Sequence, residues 1–355
     1  MSSIDQTSIV AQNAFTAISI EGLLYRNVEG NTVELPATLR RMSPPLDLVD
    51  VYPHPKITPF RYRQTLDCCL PDGAPPRSPS NLPPPGHSEL SFSLGPIIGS
   101  GRTGIVYDVR NASIDHSKGD VSTETPGYLP PLVVKVAYRN RCLSLVREAW
   151  FYEEMECLQG ASMARCYGCF ELDLKRGWRL HPWRYRAGKA PDGCEYDSIP
   201  DYDEYPPATA RRVGIAPHPM LPELIMERDR VFVLLLERLG DELSPRVYSE
   251  AEKQDIRDIY KDVASLGISL VSDVRPSNIL AAPPSPPGLT SLPSPLASKA
   301  HAFRLIGFEL AQKTPWTARI ITGDQQEWVN NMFDCLPYYL PREVDRDPLS
   351  TSFDF

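Results

Sequence analysis

The sequence predicts an α+β protein, on three observations. Apolar residues from Leu90 to Ile98, and again over Ile105-Val106-Tyr107-Asp108-Val109, form β-type runs on either side of a glycine-rich turn. Leu132–Ala137 and residues 231–237 are continuous apolar runs of the length expected for buried strands. Residues 141–158 and 249–268 instead carry apolar positions at helical spacing, the first with Val146 and Trp150 and ended by Gly160, the second with Ile256, Ile259, Val263 and Leu266.

Composition narrows the class. The 37 prolines among 355 residues are about twice the usual share, which suits a globular core interrupted by Pro-rich segments. A net charge of −8 argues against general affinity for nucleic acid or an anionic membrane. No apolar run has the length of a bilayer span, and the first residues lack a secretory signal. Eight cysteines without a dense framework suit a reducing compartment, cytoplasmic or nuclear, where the sequon at Asn111 carries no meaning. Cys166 and Cys169 form a CxxC, but a metal site needs a second ligand pair and Cys68-Cys69 is not spaced as one. Two thiols in a half-buried strand is the better reading.

Residues 1–88 read as a Pro-rich extension and linker with one helix at most and little core of their own, and residues 89–355 as the folded domain. Two insertions interrupt that domain. Residues 173–230 hold a basic, aromatic half (Lys175 to Lys189) and an acidic half (Asp192 to Glu204). Basic residues among aromatics could touch single-stranded nucleic acid, but the acidic run beside them favours self-neutralisation, partner docking or a solvated loop. Residues 283–298 are rich in Pro and Ser. The next strand-like run is 302–310, and a last helix is expected over 328–340.

Four features carry possible chemistry. The turn Gly99-Ser100-Gly101-Arg102-Thr103-Gly104 lies between two strands, and its glycines would let a phosphate approach the backbone. Because no helix follows, a dinucleotide-binding role is disfavoured. Lys135 stands in the middle of a buried-type strand, where a lysine wants an anion, either a carboxylate or a phosphate; the alternative is an edge lysine pointing to solvent. One of the carboxylates Glu148, Glu153, Glu154 and Glu156, in and after the following helix, is its expected partner. Asp273 and Asn278, five positions apart between short apolar runs, offer a carboxylate to orient or deprotonate a hydroxyl and an amide oxygen for a metal ion.

In this order the features resemble the protein kinase superfamily, in a divergent fungal type, over about residues 89–310. The resemblance implies a bilobal fold, with an antiparallel N-lobe sheet plus a helix over about 89–239 and a truncated helical C-lobe over about 240–355. It implies an ATP cleft in which Gly99, Gly101, Gly104 and Val106 cover the phosphates, Val133 lies over the base, and Lys135 with Glu148 holds the α- and β-phosphates. Glu237 and Leu239 would belong to the segment that binds adenine through its backbone. Asp273 would be the catalytic base, Arg275 would stand near the γ-phosphate, and Asn278 would bind metal.

The departures shape the functional expectation. Gly307-Phe308-Glu309 stands where the family has Asp-Phe-Gly, so Gly307 supplies no ligand for Mg²⁺ or Mn²⁺. Val271 replaces the family's histidine, and no convincing activation segment follows, Pro341-Arg342-Glu343 being a faint echo of its end. The expectation is a catalytically impaired ATP-binding domain that acts through nucleotide or an unknown protein partner. The alternative is an active kinase transferring the γ-phosphate to a protein hydroxyl. A small-molecule phosphotransferase and an unrelated α+β domain are further options.

Overall fold

The structure is a computed structural model that describes residues 9–29, 31–44, 79–101, 103–115, 127–138, 141–175, 177–180, 230–314 and 316–338. Its main feature is a closed β-barrel. The strands are β1 (Phe15–Val28), β2 (Asn31–Met42), β3 (Ser88–Ser100), β4 (Gly104–Asp115), β5 (Leu132–Ala137), β6 (Cys166–Asp173), β7 (Trp178–Leu180) and β8 (Arg230–Glu237). Seven of them form a ring in the order β1-β2-β6-β8-β5-β4-β3, which closes by parallel pairing of β3 with β1. The short β7 lies along the second half of β1.

This barrel overturns the bilobal kinase-like fold expected from the sequence. A kinase-type N-lobe sheet is open, whereas here β1 and β2, from the segment expected to be an extension with a helix at most, complete a ring without free edges. Three α-helices, α1 (Cys142–Glu154), α2 (Glu250–Ser265) and α3 (Ala318–Cys335), are present among the described residues. Helix α1 packs on β8 and β6 of the barrel wall, and α3 packs on α2.

Local chemistry explains how the first hairpin enters a barrel despite its breakers. The β1–β2 register shifts between Ile20 and Leu24, where Gly22 has φ +82° and Pro36, which has no N–H to donate, faces the irregular stretch. The Glu34 carboxylate accepts the Gly22 N–H, satisfying the donor that the bulge takes out of the ladder.

Strand alternation then produces two cores. Leu132, Val134 and Val136 of β5 face the barrel interior with Ile105, Tyr107, Val233, Leu235 and Phe170. Val133 and Ala137 face outward, into a second core with Val146, Phe151, Leu234, Leu236, Ile259 and Phe308. Every residue of β5 is therefore buried, which is why that strand reads as an unbroken apolar run. The interior is filled by side chains such as Phe15, Ile18, Ile20, Leu39 and Tyr167 and is a packed core.

Outside the barrel, α2 opens with a reciprocal cap between Ser249 and Glu252. Two small antiparallel pairs follow it, β9 (Ile268–Ser269) with β12 (Gln312–Lys313) and β10 (Ile279–Ala281) with β11 (Phe303–Leu305). Helix α3 begins ten residues before the expected 328, and only 303–305 of the run 302–310 is strand. The Pro/Ser-rich stretch 283–298 packs on the body, with the Thr290 and Leu289 carbonyls accepting from Arg165 and Arg304.

At the base of this stretch His301 is buried between two carboxylates of α2, with Nδ1 2.8 Å from Asp255 and Nε2 3.1 Å from Asp262. Lys299 reaches Asp255 and Asp258, while Ser162 donates to Asp262. Burial alone would lower the imidazole pKa, but the hydrogen bonds and charges of Asp255 and Asp262 outweigh it and raise it to about 9 from 6.5. A value raised on folding stabilises the protein fully below the unfolded value, and that contribution is lost as pH rises through about 9. The melting temperature is therefore expected to fall between pH 6.5 and about 9.5, and His301→Gln to flatten that slope.

Candidate functional site

The candidate site lies on the outer wall of the barrel, where β5 meets α1 and the segment 271–309. The register pairs Val106 with Lys135 and Lys135 with Leu234, so the lysine points outward, away from the lumen. Its Nζ lies 2.7 Å from Glu148 Oε2, with the two side chains 10% and 1% exposed. Of the carboxylates that spacing leaves open, Glu148 is the one that meets Lys135. Burial alone would lower the ammonium pKa, but the charges of Glu148, Glu309 and Asp273 outweigh it and hold it above the ordinary value. Burial and the nearby Glu309 raise Glu148 against the pull of Lys135, and the Phe308 N–H donates to the same carboxylate. The two rises differ in origin: burial leads for Glu148, and the surrounding carboxylates for Lys135.

Asp273 ends a 3-10 turn (Val271–Asp273), and a second such turn, Pro276–Asn278, presents the asparagine. The Asn278 Nδ2 donates to the Asp273 carbonyl at 3.2 Å, which locks the two ends of the loop together. The Asp273 carboxylate is 4% exposed and pairs with the Arg275 guanidinium. Burial and the Glu309 charge raise its pKa to about 7 against the opposing effect of Arg275. The Arg275 nitrogen that meets Asp273 also lies 3.5 Å from Glu309 Oε1. Arg147, one residue before Glu148 on α1, donates to the Glu309 and Ala311 carbonyls and so fixes the segment that carries Glu309.

Gly307 sits at φ +74°, and a Cβ there would lie 3.0 Å from Asn278 Oδ1. The backbone thus explains the glycine, since an L-side chain would be strained by conformation and would crowd the asparagine. In the sequence Glu309 is a carboxylate two positions beyond Gly307 that could swing toward a metal. Its placement beside Lys135, Asp273 and Arg275 depends on the chain turning at Gly307 and on Arg147, neither of which leaves a spacing signal.

The glycines of the turn divide into two kinds. A Cβ added at Gly99 or Gly101 would meet nothing within 4 Å, while one at Gly104 would lie 2.1 Å from the Val136 carbonyl oxygen. Gly104 serves β4–β5 contact; Gly99 and Gly101 border open space. Val106 and Val133 lie on the outward face with Lys135, in contact with the outer core. Leu239 is half-buried, and among the described residues nothing accepts its amide N–H.

Glu237 does not join them. It pairs with Leu132 and so lies in the inward-facing register, opposite to Lys135. There it is 2% exposed and binds Arg165 at 2.8 Å and also Arg304, which is fully buried. Its own amide donates to the Arg165 carbonyl. Glu237 belongs to a buried structural network at the end of the barrel.

Among the described residues no group of three or more His, Cys, Asp or Glu side chains is arranged to hold a metal. Burial raises the Cys166 thiol to about 12 and Cys169 well above its ordinary value, which suits inert thiols. Residues 192–204, 341–343 and 68–69 lie outside the described residues, as do 71–78 of the linker. Of the basic half of the long insertion, residues 175 and 177–180 are described, with Lys175 Nζ 5.1 Å from the Trp178 ring centroid. Among the described residues no helix is long and apolar enough to cross a membrane.

No protein-family model matches the chain, and no curated protein sequence matches it. The resemblance to protein kinases drawn from the sequence is therefore corrected on two counts. The chain closes a barrel where that family has an open lobe, and no family match supports kinase membership.

Proposed function

We propose that the chain binds a nucleoside triphosphate, with ATP the first candidate, against the outer wall of the barrel and acts through that binding. The observation that carries this reading is the buried Lys135–Glu148 pair. A lysine that burial would neutralise is instead held charged by surrounding carboxylates, and so forms a fixed cation of the kind that receives phosphate. Gly99 and Gly101 leave space for a phosphate to reach the backbone. Val106 and Val133 offer apolar surface for a base on the same face of the sheet, and the Leu239 amide offers a donor. Asp273 is engaged by Arg275, which favours binding over chemistry.

A second reading, phosphoryl transfer to a hydroxyl, is favoured by one observation. The Asp273 pKa of about 7 suits a general base near neutrality.

The test is thermal stability and γ-phosphate release with ATP, with and without Mg²⁺. At ATP about 100-fold above Kd, binding should add ~2.7 kcal/mol to wild-type stability. Lys135→Met should lose the shift. Because this change leaves Glu148 unpaired, Gly101→Ala is the companion variant: its Cβ enters open space, so the fold should be unaffected while affinity drops. Metal-dependent turnover abolished by Asp273→Asn would establish the second reading. Absence of any ATP-dependent shift would remove both.

A further inference from the structure

We infer that a small monovalent anion of the chloride class binds inside the buried network at the end of the barrel, beside Arg304 Nε and the Tyr167 hydroxyl. This site is independent of the nucleotide reading, because Glu237, the carboxylate of the network, faces the opposite side of the sheet from Lys135. Arg304 is fully buried, and its terminal nitrogens donate to Glu237, to the Leu289 carbonyl and to the Ser291 hydroxyl. Its Nε has no partner among the described residues. Arg165 gives its backbone amide and one terminal nitrogen to Glu237, each at 2.8 Å, and its other terminal nitrogen to the Thr290 carbonyl at 3.1 Å. Tyr167 is fully buried with its ring near Phe15, and its hydroxyl also lacks a partner among the described residues. Two buried donors are left over, while both Glu237 oxygens are already taken. A buried donor without an acceptor is costly, and an unidentified ion or water is a common reason for one.

Charge decides between those two occupants. Two guanidinium groups, Arg165 and Arg304, share the single carboxylate of Glu237, which leaves one surplus positive charge in the interior. Glu237 is also the carboxylate that acts on Tyr167. Arg41, which donates to the Tyr167 backbone carbonyl, brings a further positive charge nearby, and the carboxylate it faces is Glu153, outside the network. Burial, opposed by the Glu237 charge and aided by that of Arg165, leaves the Arg304 guanidinium below its ordinary pKa, as befits a cation short of negative charge.

A water would accept from the two spare donors and leave the surplus charge in place. A monovalent anion accepts from both and cancels it, and its bond to a guanidinium is of the stronger, charge-assisted kind. A doubly charged phosphate would overshoot the balance. Because Arg304 also holds Leu289 and Ser291, the anion completes the joint that fastens the Pro/Ser-rich stretch to the barrel.

Thermal melts of the full chain in sodium chloride and in sodium gluconate, at one fixed ionic strength, test the site. The wild-type melting temperature should rise with chloride, and above Kd it should follow the logarithm of the chloride concentration. Glu237→Gln raises the surplus charge from one to two with little change of shape, and should bind chloride at least about tenfold more tightly than the wild type. Tyr167→Phe keeps the ring and removes one spare donor. It should melt close to the wild type in gluconate and bind chloride about tenfold more weakly, the equivalent of one hydrogen bond. Should Glu237→Gln fail to fold, Tyr167→Phe is read together with crystals grown in bromide, whose anomalous scattering should place one ion against Arg304 Nε. Melts that depend on ionic strength but not on chloride would overturn the site in favour of water. A chloride effect that neither variant alters, or bromide found only away from Arg304, would overturn it as well.

Discussion

Replacing Glu237 by alanine is expected to destabilise the protein by about 3–5 kcal/mol, the range seen when one member of a buried ion pair is removed. The cost comes less from lost attraction than from what remains. Arg304 is fully buried and Arg165 is 7% exposed, so the variant would leave two guanidinium groups in the protein interior without their shared carboxylate. Carbonyls of Leu289 and Thr290 still accept from them, but those carry no formal charge. Glu237→Gln keeps the shape and some hydrogen bonds and should cost less. Urea denaturation of the three proteins gives the comparison; a loss below about 1 kcal/mol for Glu237→Ala would mean that solvent reaches the network. The same variants should leave nucleotide affinity unchanged wherever the protein is folded, because Glu237 faces the opposite side of the sheet from Lys135.

Elements whose stability is set locally were legible in the sequence. Helices α1 and α2, strands β5, β6 and β8 and the loop from Asp273 to Asn278 all lie close to where periodicity and turn residues put them. Lys135 and Glu148 are thirteen positions apart on consecutive elements, so a strand-to-helix argument limits the partner to a few carboxylates but does not choose among Glu148, Glu153, Glu154 and Glu156. Barrel closure is different in kind. It depends on parallel pairing of Phe15–Glu21 with Ser88–Ser93 across a long stretch of chain, and nothing in either segment names the other. Pro36 also argued against a strand, because a proline inside a strand is tolerated only at an edge or beside a bulge, and the bulge is made by Gly22 on the partner strand. Glu237 gave no sign of its partners, for a similar reason. Its arginines lie 72 and 67 positions away, and the residue's face follows from strand register, which a motif does not carry.

The second large effect is expected at Gly104. A Cβ at this position would lie 2.1 Å from the Val136 carbonyl oxygen and 2.8 Å from its carbon. Both are backbone atoms of β5 at the end of the β4–β5 ladder, with Gly104 paired to Ala137 and Ile105 to Val136. No side chain can turn aside to relieve the contact, so β4 and β5 must separate and their ladder hydrogen bonds must stretch. Gly104→Ala should therefore cost about 3 kcal/mol or more, at or beyond the upper end for overpacking in a core. Gly99→Ala and Gly101→Ala place the same atom in open space and should change stability by less than about 0.5 kcal/mol. Chemical denaturation of the three variants separates the two roles that one glycine-rich turn combines. A motif read as three equivalent phosphate-facing glycines predicts similar stability for all three, with losses only in ATP binding. The packing predicts one unstable variant and two stable ones, and among the stable pair any loss of ATP affinity reports on the ligand alone.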